Sequence, residues 1–301
     1  MWYHLYMQEI KTVKISDKNY PESIKTLSDA PEVLYYRGVL PTPEEICVAV
    51  VGTRRPSDYG QQATIEIAGG LASAGVTVVS GMAPGIDTFA HRTCVERGRR
   101  TIAVIGTGLD EKTLYPQQNL ELARQIIKHG GCLISEYPPN TPGYAGNFPQ
   151  RNRLVVALSE GVVVTEAKKR SGSLITANLA KLQKKVLFAV PGQIYMANAS
   201  GPNKLIKEGA QLIESAQDVL DVLGINNARL VSGTVNSPLI PLGELTVPET
   251  LIFTALKEGS LYIDAIIEKT KLSAPVAGST LALMEISGKI RNLGGNTYSL
   301  N

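Results

Sequence analysis

From Ile46 onward the chain repeats one local pattern: a short β-branched apolar run, a turn that is often glycine-bearing, then a stretch with helical spacing. The apolar runs are Ile46–Val51, Val76–Ser80, Thr101–Ile105, Cys132–Ser135, Gly161–Thr165 and Val186–Val190. They carry few polar residues, which suits strands buried on both faces rather than strands with one wet side. Between them Gln61–Ser73, Asp87–Arg97, Asn119–Lys128 and Ile175–Leu182 read as helices. Strands separated by helices of this length pair in parallel through crossovers, which place the helices on the sheet faces. The expected fold class is α/β, a mostly parallel sheet with helices on both faces, spanning residues 45–223.

The flanks differ from this core. Residues 1–44 read as a short lead-in packed on the core, with a strand near Val13–Ile15, a helix near Pro21–Leu27 and a strand at Val33–Arg37. Pro41 and Pro43 close it. Strand–helix alternation stops after Ala216–Leu223, and residues 224–241, rich in Asn, Ser, Gly and Pro, read as a linker. Residues 242–301 then offer helices at Pro248–Lys257, Ile263–Thr270 and Ala274–Ser287, and a hairpin over Lys289–Leu300 turning at Gly294-Gly295. Three helices and a β-wing predict a winged helix-turn-helix. Its recognition segment, Ala274 to Leu281, has no Lys or Arg. Helices that read duplex DNA need cations for the phosphates, so this one is expected to contact protein or to pack.

Composition adds limits. A net charge of +3 and a pI near 8.6 mean that any nucleic-acid site must come from where the cations stand, not from their total. Cys47, Cys94 and Cys132 are scattered, and His4, His91 and His129 fall at no ligand spacing, so neither metal nor cofactor is expected. No apolar run reaches the ~18 residues of a membrane span. The start lacks the basic-then-apolar order of a signal peptide, and the expected location is cytoplasmic.

In a parallel sheet, ligands gather beyond the carboxyl ends of the strands. Those ends here are Gly52-Thr53-Arg54-Arg55, Ser80 to Asp87, Gly106 to Asp110, Glu166 to Ser173, and Pro191-Gly192. Glycine lets backbone N–H groups approach an oxyanion, and helix N-termini aim further N–H groups at it. Turn geometry alone explains any single glycine. Their recurrence beside Arg54, Arg55, Lys168, Lys169 and Arg170 predicts a phosphate-binding rim. Dinucleotide and Walker fingerprints are absent, as is a Gly-x-Ser-x-Gly elbow. Asp87 and His91 sit one helical turn apart, and are expected to cap a helix and to be hydrogen-bonded, respectively. Glu136 and Glu166 are expected to pair with nearby arginines. The string Phe148-Pro149-Gln150-Arg151-Asn152-Arg153 sets guanidinium groups in a first helical turn, where they oppose the dipole, beside a ring on which a base can stack.

Taken together these strings resemble the DprA/Smf family of bacterial DNA-processing proteins. The resemblance rests on Gly52-Thr53-Arg54 with Tyr59-Gly60, Ser80-Gly81-x-Ala83-x-Gly85-Ile86-Asp87 with Ala90-His91, and Thr101-Ile102-Ala103-Val104 with Gly106-x-Gly108-Leu109-Asp110 and Tyr115-Pro116. It continues through Ser135-Glu136-x-Pro138-Pro139, Phe148-Pro149-x-Arg151-Asn152-Arg153 and Glu166-Ala167. Ser171 to Ala177, Val190-Pro191-Gly192 and Gly201-x-Asn203-x-Leu205-Ile206 with Gly209-Ala210 complete it. It implies an extended Rossmann-like core, a homodimer, non-catalytic binding of single-stranded DNA, and delivery of that strand to the RecA recombinase during natural transformation. By the same resemblance Arg54, Arg151 and Arg153 would hold the strand's backbone. Main-chain groups around Ser80, Gly81, Gly85, Ile86 and Asp87, and at Ser171, Gly172 and Ser173, would assist. Phe148, Asn152, Thr176 and Asn203 complete the expected DNA-binding set, with Lys168 added from charge placement.

Three departures from the family pattern are expected: the N-terminal helical domain of many relatives is expected to be missing, Thr53 replaces a common serine, and Gln117 follows Tyr115-Pro116 where many relatives carry a basic residue. The alternative reading is a Rossmann-like nucleotide-binding or nucleotide-processing enzyme. Lysine-decarboxylase-like phosphoribohydrolases carry Pro-Gly-Gly-x-Gly-Thr, whereas Pro191-Gly192 is followed by Gln193.

Overall fold

The computed structural model describes residues 9–225, 247–257, 259–286 and 289–300. The chain divides into two compact units, residues 1–238 and 239–301. Past Ile225 the expected linker at 224–241 lies outside the described residues, as does most of the expected lead-in start.

The first unit is built on one nine-stranded sheet. Its strands are β1 (Lys11–Lys14), β2 (Val33–Gly38), β3 (Cys47–Val51), β4 (Thr77–Ser80), β5 (Thr101–Ile105), β6 (Cys132–Ser135), β7 (Gly161–Val164), β8 (Val186–Ala189) and β9 (Gln211–Leu212). The helices are α1 (Glu22–Lys25), α2 (Asp58–Ser73), α3 (Ile86–Glu96), α4 (Leu120–Lys128), α5 (Asn147–Ala157), α6 (Gly172–Leu182), α7 (Ser200–Lys207) and α8 (Ala216–Leu223). The strand order is β1-β2-β6-β5-β4-β3-β7-β8-β9. All neighbours from β6 to β9 pair in parallel, while β1 and β2 of the lead-in add an antiparallel edge on β6. The chain thus steps outward from β3 to β6, then returns to lay β7 on the other side of β3. That reversal is a topological switch point, and it opens a crevice beyond the ends of β3 and β7.

The all-apolar strands are needed because both faces are covered. In β3, Val48 and Val50 belong to one buried cluster with Ile67, Leu71 and Ala90 of α2 and α3, while Ala49 and Val51 belong to another with Leu154 and Ala177 of α5 and α6. That is the two-residue alternation of a strand, with apolar residues required at every position.

Helix starts differ from expectation where serine caps them. Ser57 accepts the Gly60 N–H and starts α2 at Asp58, and Ser171 accepts the Ser173 N–H and starts α6 at Gly172. Both starts precede the apolar periodicity that the sequence reading followed. Helix α7 carries Gly201 and Pro202, which argue against a helix unless they fall in the first turn. They do, and the expectation had missed this helix.

The second unit holds α9 (Val247–Leu256), β10 (Leu261–Tyr262), α10 (Ile263–Thr270), α11 (Ala274–Ile286), β11 (Ile290–Asn292) and β12 (Thr297–Leu300). Its antiparallel sheet has the order β10-β12-β11, and the wing turns at Gly294 and Gly295, both at positive φ. Ile252, Leu256, Ile266, Leu281, Met284, Ile290 and Tyr298 form its core. The expected helices and wing are present, and β10 is an addition. Among the described residues no helix is long and apolar enough to cross a membrane.

Candidate nucleic-acid interface

The loops after β3, β4 and β7 meet the start of α5 around a cleft of about 400 Å³ at the switch point. It is lined by Arg54, Gly81, Asp87, Phe148, Arg151, Asn152, Lys168, Ser171, Gly172, Ser173 and Thr176 of the expected set, together with Thr53, Arg55 and Arg170. Arg54, Arg55, Lys168, Lys169 and Arg170 are exposed. Among the described residues, none of these five forms an ion pair. The Arg54 guanidinium lies over the Phe148 ring at 5.8 Å, and Tyr115 meets the same ring at 5.3 Å between centroids, tilted by 54°. At α6 the Ser171 hydroxyl caps the first turn, whose residues line the cleft and bring helix N–H groups toward an anion.

The remaining expected residues build the cleft from outside it. Ser80 is fully buried and donates to the Val50 carbonyl at 2.7 Å. Gly85 has φ +84°, and a Cβ there would lie 2.4 Å from the Thr53 carbonyl oxygen. Only glycine lets the β4 loop pack on the β3 loop so closely. Ile86 is buried, and its N–H donates to Thr53 O at 3.2 Å. Asn203 grips Gly192 at both backbone groups, donating to its carbonyl at 2.8 Å and accepting its N–H at 3.1 Å.

Arg153 needs the clearest correction, because the resemblance implied a backbone contact there. Its side chain is 8% exposed and is spent on carboxylates, donating to Glu136 at 2.7 and 2.8 Å and pairing with Asp29 at 2.7 Å. It ties α5 to the β6 loop and the lead-in. Glu136 therefore pairs with an arginine as expected. Glu166 does not. Its buried carboxylate accepts from Ser57 N at 2.9 Å, Ser57 Oγ at 2.5 Å and Asn198 Nδ2 at 3.1 Å. This knot joins the β3 and β7 loops, and it was missed because Ser57 and Glu166 stand far apart in the chain.

Arg151 lines the cleft but is 96% buried by its 4% exposure, so it acts as floor. It donates to the carbonyls of Gly81, at 2.7 Å, and Val104, and to Asn152 Oδ1 at 3.1 Å. Asp87 stands opposite and accepts the N–H groups of Gly81 at 3.1 Å and Ala83 at 3.2 Å. It does not cap its own helix, whose N-cap is Gly85; it fixes the preceding loop instead. Burial pushes the Asp87 carboxyl above its ordinary range against the pull of Arg151, and burial lowers Arg151 to about 10. His91 is fully buried, with Nδ1 2.8 Å from Thr101 Oγ1, as the expected hydrogen bond required. Burial and then the Arg151 charge push its pKa down to about 3, so the ring is neutral. The buried charges thus largely cancel, and the net positive field comes from the exposed rim.

Fold and cleft together define a doubly wound α/β protein with a cation-lined crevice at the switch point of its sheet. The family model of DNA recombination-mediator protein A matches residues 11–224, and that of the DprA winged helix domain matches residues 241–296. The chain belongs to the DprA/Smf family of DNA-processing proteins. It is 41% identical over 223 residues to DNA processing protein DprA of Bacillus subtilis, covering 74% of each chain. It is 35% identical to protein Smf of Escherichia coli, covering 93% of this chain and 75% of the relative. The solved structure of DprA from Streptococcus pneumoniae superposes with a TM-score of 0.66 at 41% identity, covering 72% of this chain and 75% of that one. DNA processing protein A from Helicobacter pylori, solved for its single-stranded DNA binding mode, gives 0.63 at 34% identity, covering 71% and 95%.

Proposed function

We propose that this protein binds and protects single-stranded DNA in the switch-point cleft, without converting it chemically, and loads RecA recombinase onto the strand during natural transformation. The observation that carries the binding step is a set of exposed cations without carboxylate partners among the described residues, one of which lies over the Phe148 ring. Cations beside an aromatic face suit a strand whose phosphates and unstacked bases are both accessible. In this reading Arg54, Lys168 and Arg170 take phosphates, and the first turn of α6 at Ser171, Gly172 and Ser173 adds N–H groups. Phe148 with Arg54 offers a stacking platform. Arg151 and Asp87 hold the Gly81 loop, and Arg153 holds α5. The recombinase step and a homodimeric state rest on kinship with the family.

The test is binding of one labelled oligonucleotide, as a single strand and as a duplex, over a salt series. Preference for the single strand, weakening steeply with salt, is the expected result. Equal or tighter duplex binding overturns the assignment. RecA filament assembly on a protein-coated strand, compared with a bare one, then tests the loading step.

A further inference from the structure

Next to the basic cleft lies a second, smaller cavity of about 200 Å³ that the charge argument leaves unused. Its walls include Tyr59, Val190, Pro191, Gly192, Met196 and Ala199, with Ser57 and Glu166 also lining it. We infer that this cavity is a nucleobase pocket, receiving one base of the strand whose phosphates the neighbouring cations hold. The inference rests on the proposed single-strand binding and names a second subsite for it.

Three features favour a neutral ring over any other occupant. The walls are mainly apolar, and the one charged group is the Glu166 carboxylate, already engaged by Ser57 and Asn198. A phosphate is repelled there, whereas a base is not. The ring of Tyr59 is fixed, because its hydroxyl donates to the Pro191 carbonyl at 2.7 Å although the side chain is half exposed. A stacking face held in place costs little conformational entropy on binding. Size also fits: a cavity of about 150 Å³ takes a benzene-sized ring, so this one takes a single base and not several.

The two cavities share their loops. Arg55 and Lys168 line the first, while Ser57 and Glu166, each two residues away, line the second. Two residues of chain span at most about 7 Å, within reach of adjoining nucleotides on one strand. Asn198 bridges them, donating both to Arg55 O and to Glu166 at 3.1 Å. The placement of Asn203 also finds its reason here. It touches no part of the basic cleft, but it clamps Gly192, a wall of the second cavity. Between Gln193 and Met196, Ile194 and Tyr195 stand 81% and 93% exposed, an unusual display of apolar surface that a base at the mouth would partly cover.

The test compares wild type with Tyr59→Ala, Tyr59→Phe and Met196→Ala on a thymidine oligonucleotide, on an abasic one of the same length, and on one carrying 5-iodouracil for photocrosslinking. Tyr59→Ala is expected to weaken binding about five- to a hundredfold, the loss of one stacked base. Its salt slope stays unchanged because no charge is removed. Tyr59→Phe, which keeps the ring but loses its bond to Pro191, weakens binding less than Tyr59→Ala does, Met196→Ala weakens binding several-fold, and the abasic strand no longer distinguishes wild type from Tyr59→Ala. Crosslinks map to Tyr59 or to residues 193–196. Should Tyr59→Ala fail to fold, Met196→Ala and the crosslink carry the test. Wild-type affinity in Tyr59→Ala and Met196→Ala, with crosslinks only at the basic cleft, overturns this pocket and leaves the first one standing. A change in sedimentation without a change in strand affinity overturns it too, in favour of a side chain from a second copy. A wild-type protein that binds no strand overturns both readings together.

Discussion

The switch-point rim of the α/β unit and the outward side of α11 in the winged-helix unit are both surfaces on which related architectures meet nucleic acid. Their chemistry is opposite. The rim gathers Arg54, Arg55, Lys168, Lys169 and Arg170 within two loops, all exposed and none ion-paired among the described residues. Helix α11 has no Lys or Arg between Ala274 and Ile286, and Val276 and Leu283 stand exposed on it. Both lie in a chain whose net charge is only +3, so the total distinguishes neither. What distinguishes them is the support beneath. The rim's cations stand over buried Arg151 and Asp87, which each bind the Gly81 backbone, and over a Glu166 knot that fixes the loops, whereas α11 packs its buried residues into an apolar core.

The sharpest way to probe this support is Arg151→Ala. It strips the buried Gly81 and Val104 carbonyls of a charged donor and Asp87 of a nearby positive charge, and we expect a loss of about 3–5 kcal/mol in denaturant unfolding. Arg54→Ala, one layer above, should change stability by no more than about 0.5 kcal/mol. If the two variants unfold alike, the division into floor and rim fails.

Acid should reveal the same floor. The folded His91 pKa of about 3 lies below its ordinary 6.5. A depressed value means the folded state favours the neutral ring, so this stabilisation is complete above pH 6.5 and is lost as pH falls toward 3. The expected loss approaches about 1.4 kcal/mol per pH unit in that window. Subtracting the unfolding curve of His91→Gln isolates it from Asp87, whose raised pKa gives a slope of the opposite sign. A difference curve that is flat between pH 6.5 and 4 would contradict the assignment.

Glu166→Gln should cost about 1–3 kcal/mol, since an amide cannot accept all three hydrogen bonds without turning a donor toward Ser57 or Asn198. Thermal unfolding checks it. The smallest effect belongs to the other region: removing residues 239–301 should change single-strand affinity less than about twofold. A tenfold loss would mean that the winged helix holds the strand after all.

The fold was legible because burial on both sheet faces leaves a mark on every strand residue. The cleft was legible in part, through glycines and cations at successive strand ends. The placement of Arg153 is legible from helix geometry alone. Two residues apart on a helix means about 200° of rotation, so Arg151 and Arg153 could not both face one cleft. The Glu166–Ser57 contact was not readable, because nothing local couples residues so distant in the chain. Asn203 shows a third case: its motif was visible, but its role depends on Gly192, which only the folded chain brings beside it.

The central claim is that the strand is held electrostatically at the switch-point rim. Its most direct test is the slope of log affinity against log salt for a single strand, in wild type and in the Arg54→Ala/Lys168→Ala double variant. Two lost phosphate contacts should reduce the slope by about 1.4, at about 0.7 per contact on single strands, with the unfolding midpoint unchanged. An unchanged slope in a folded double variant would place the strand elsewhere and contradict the account.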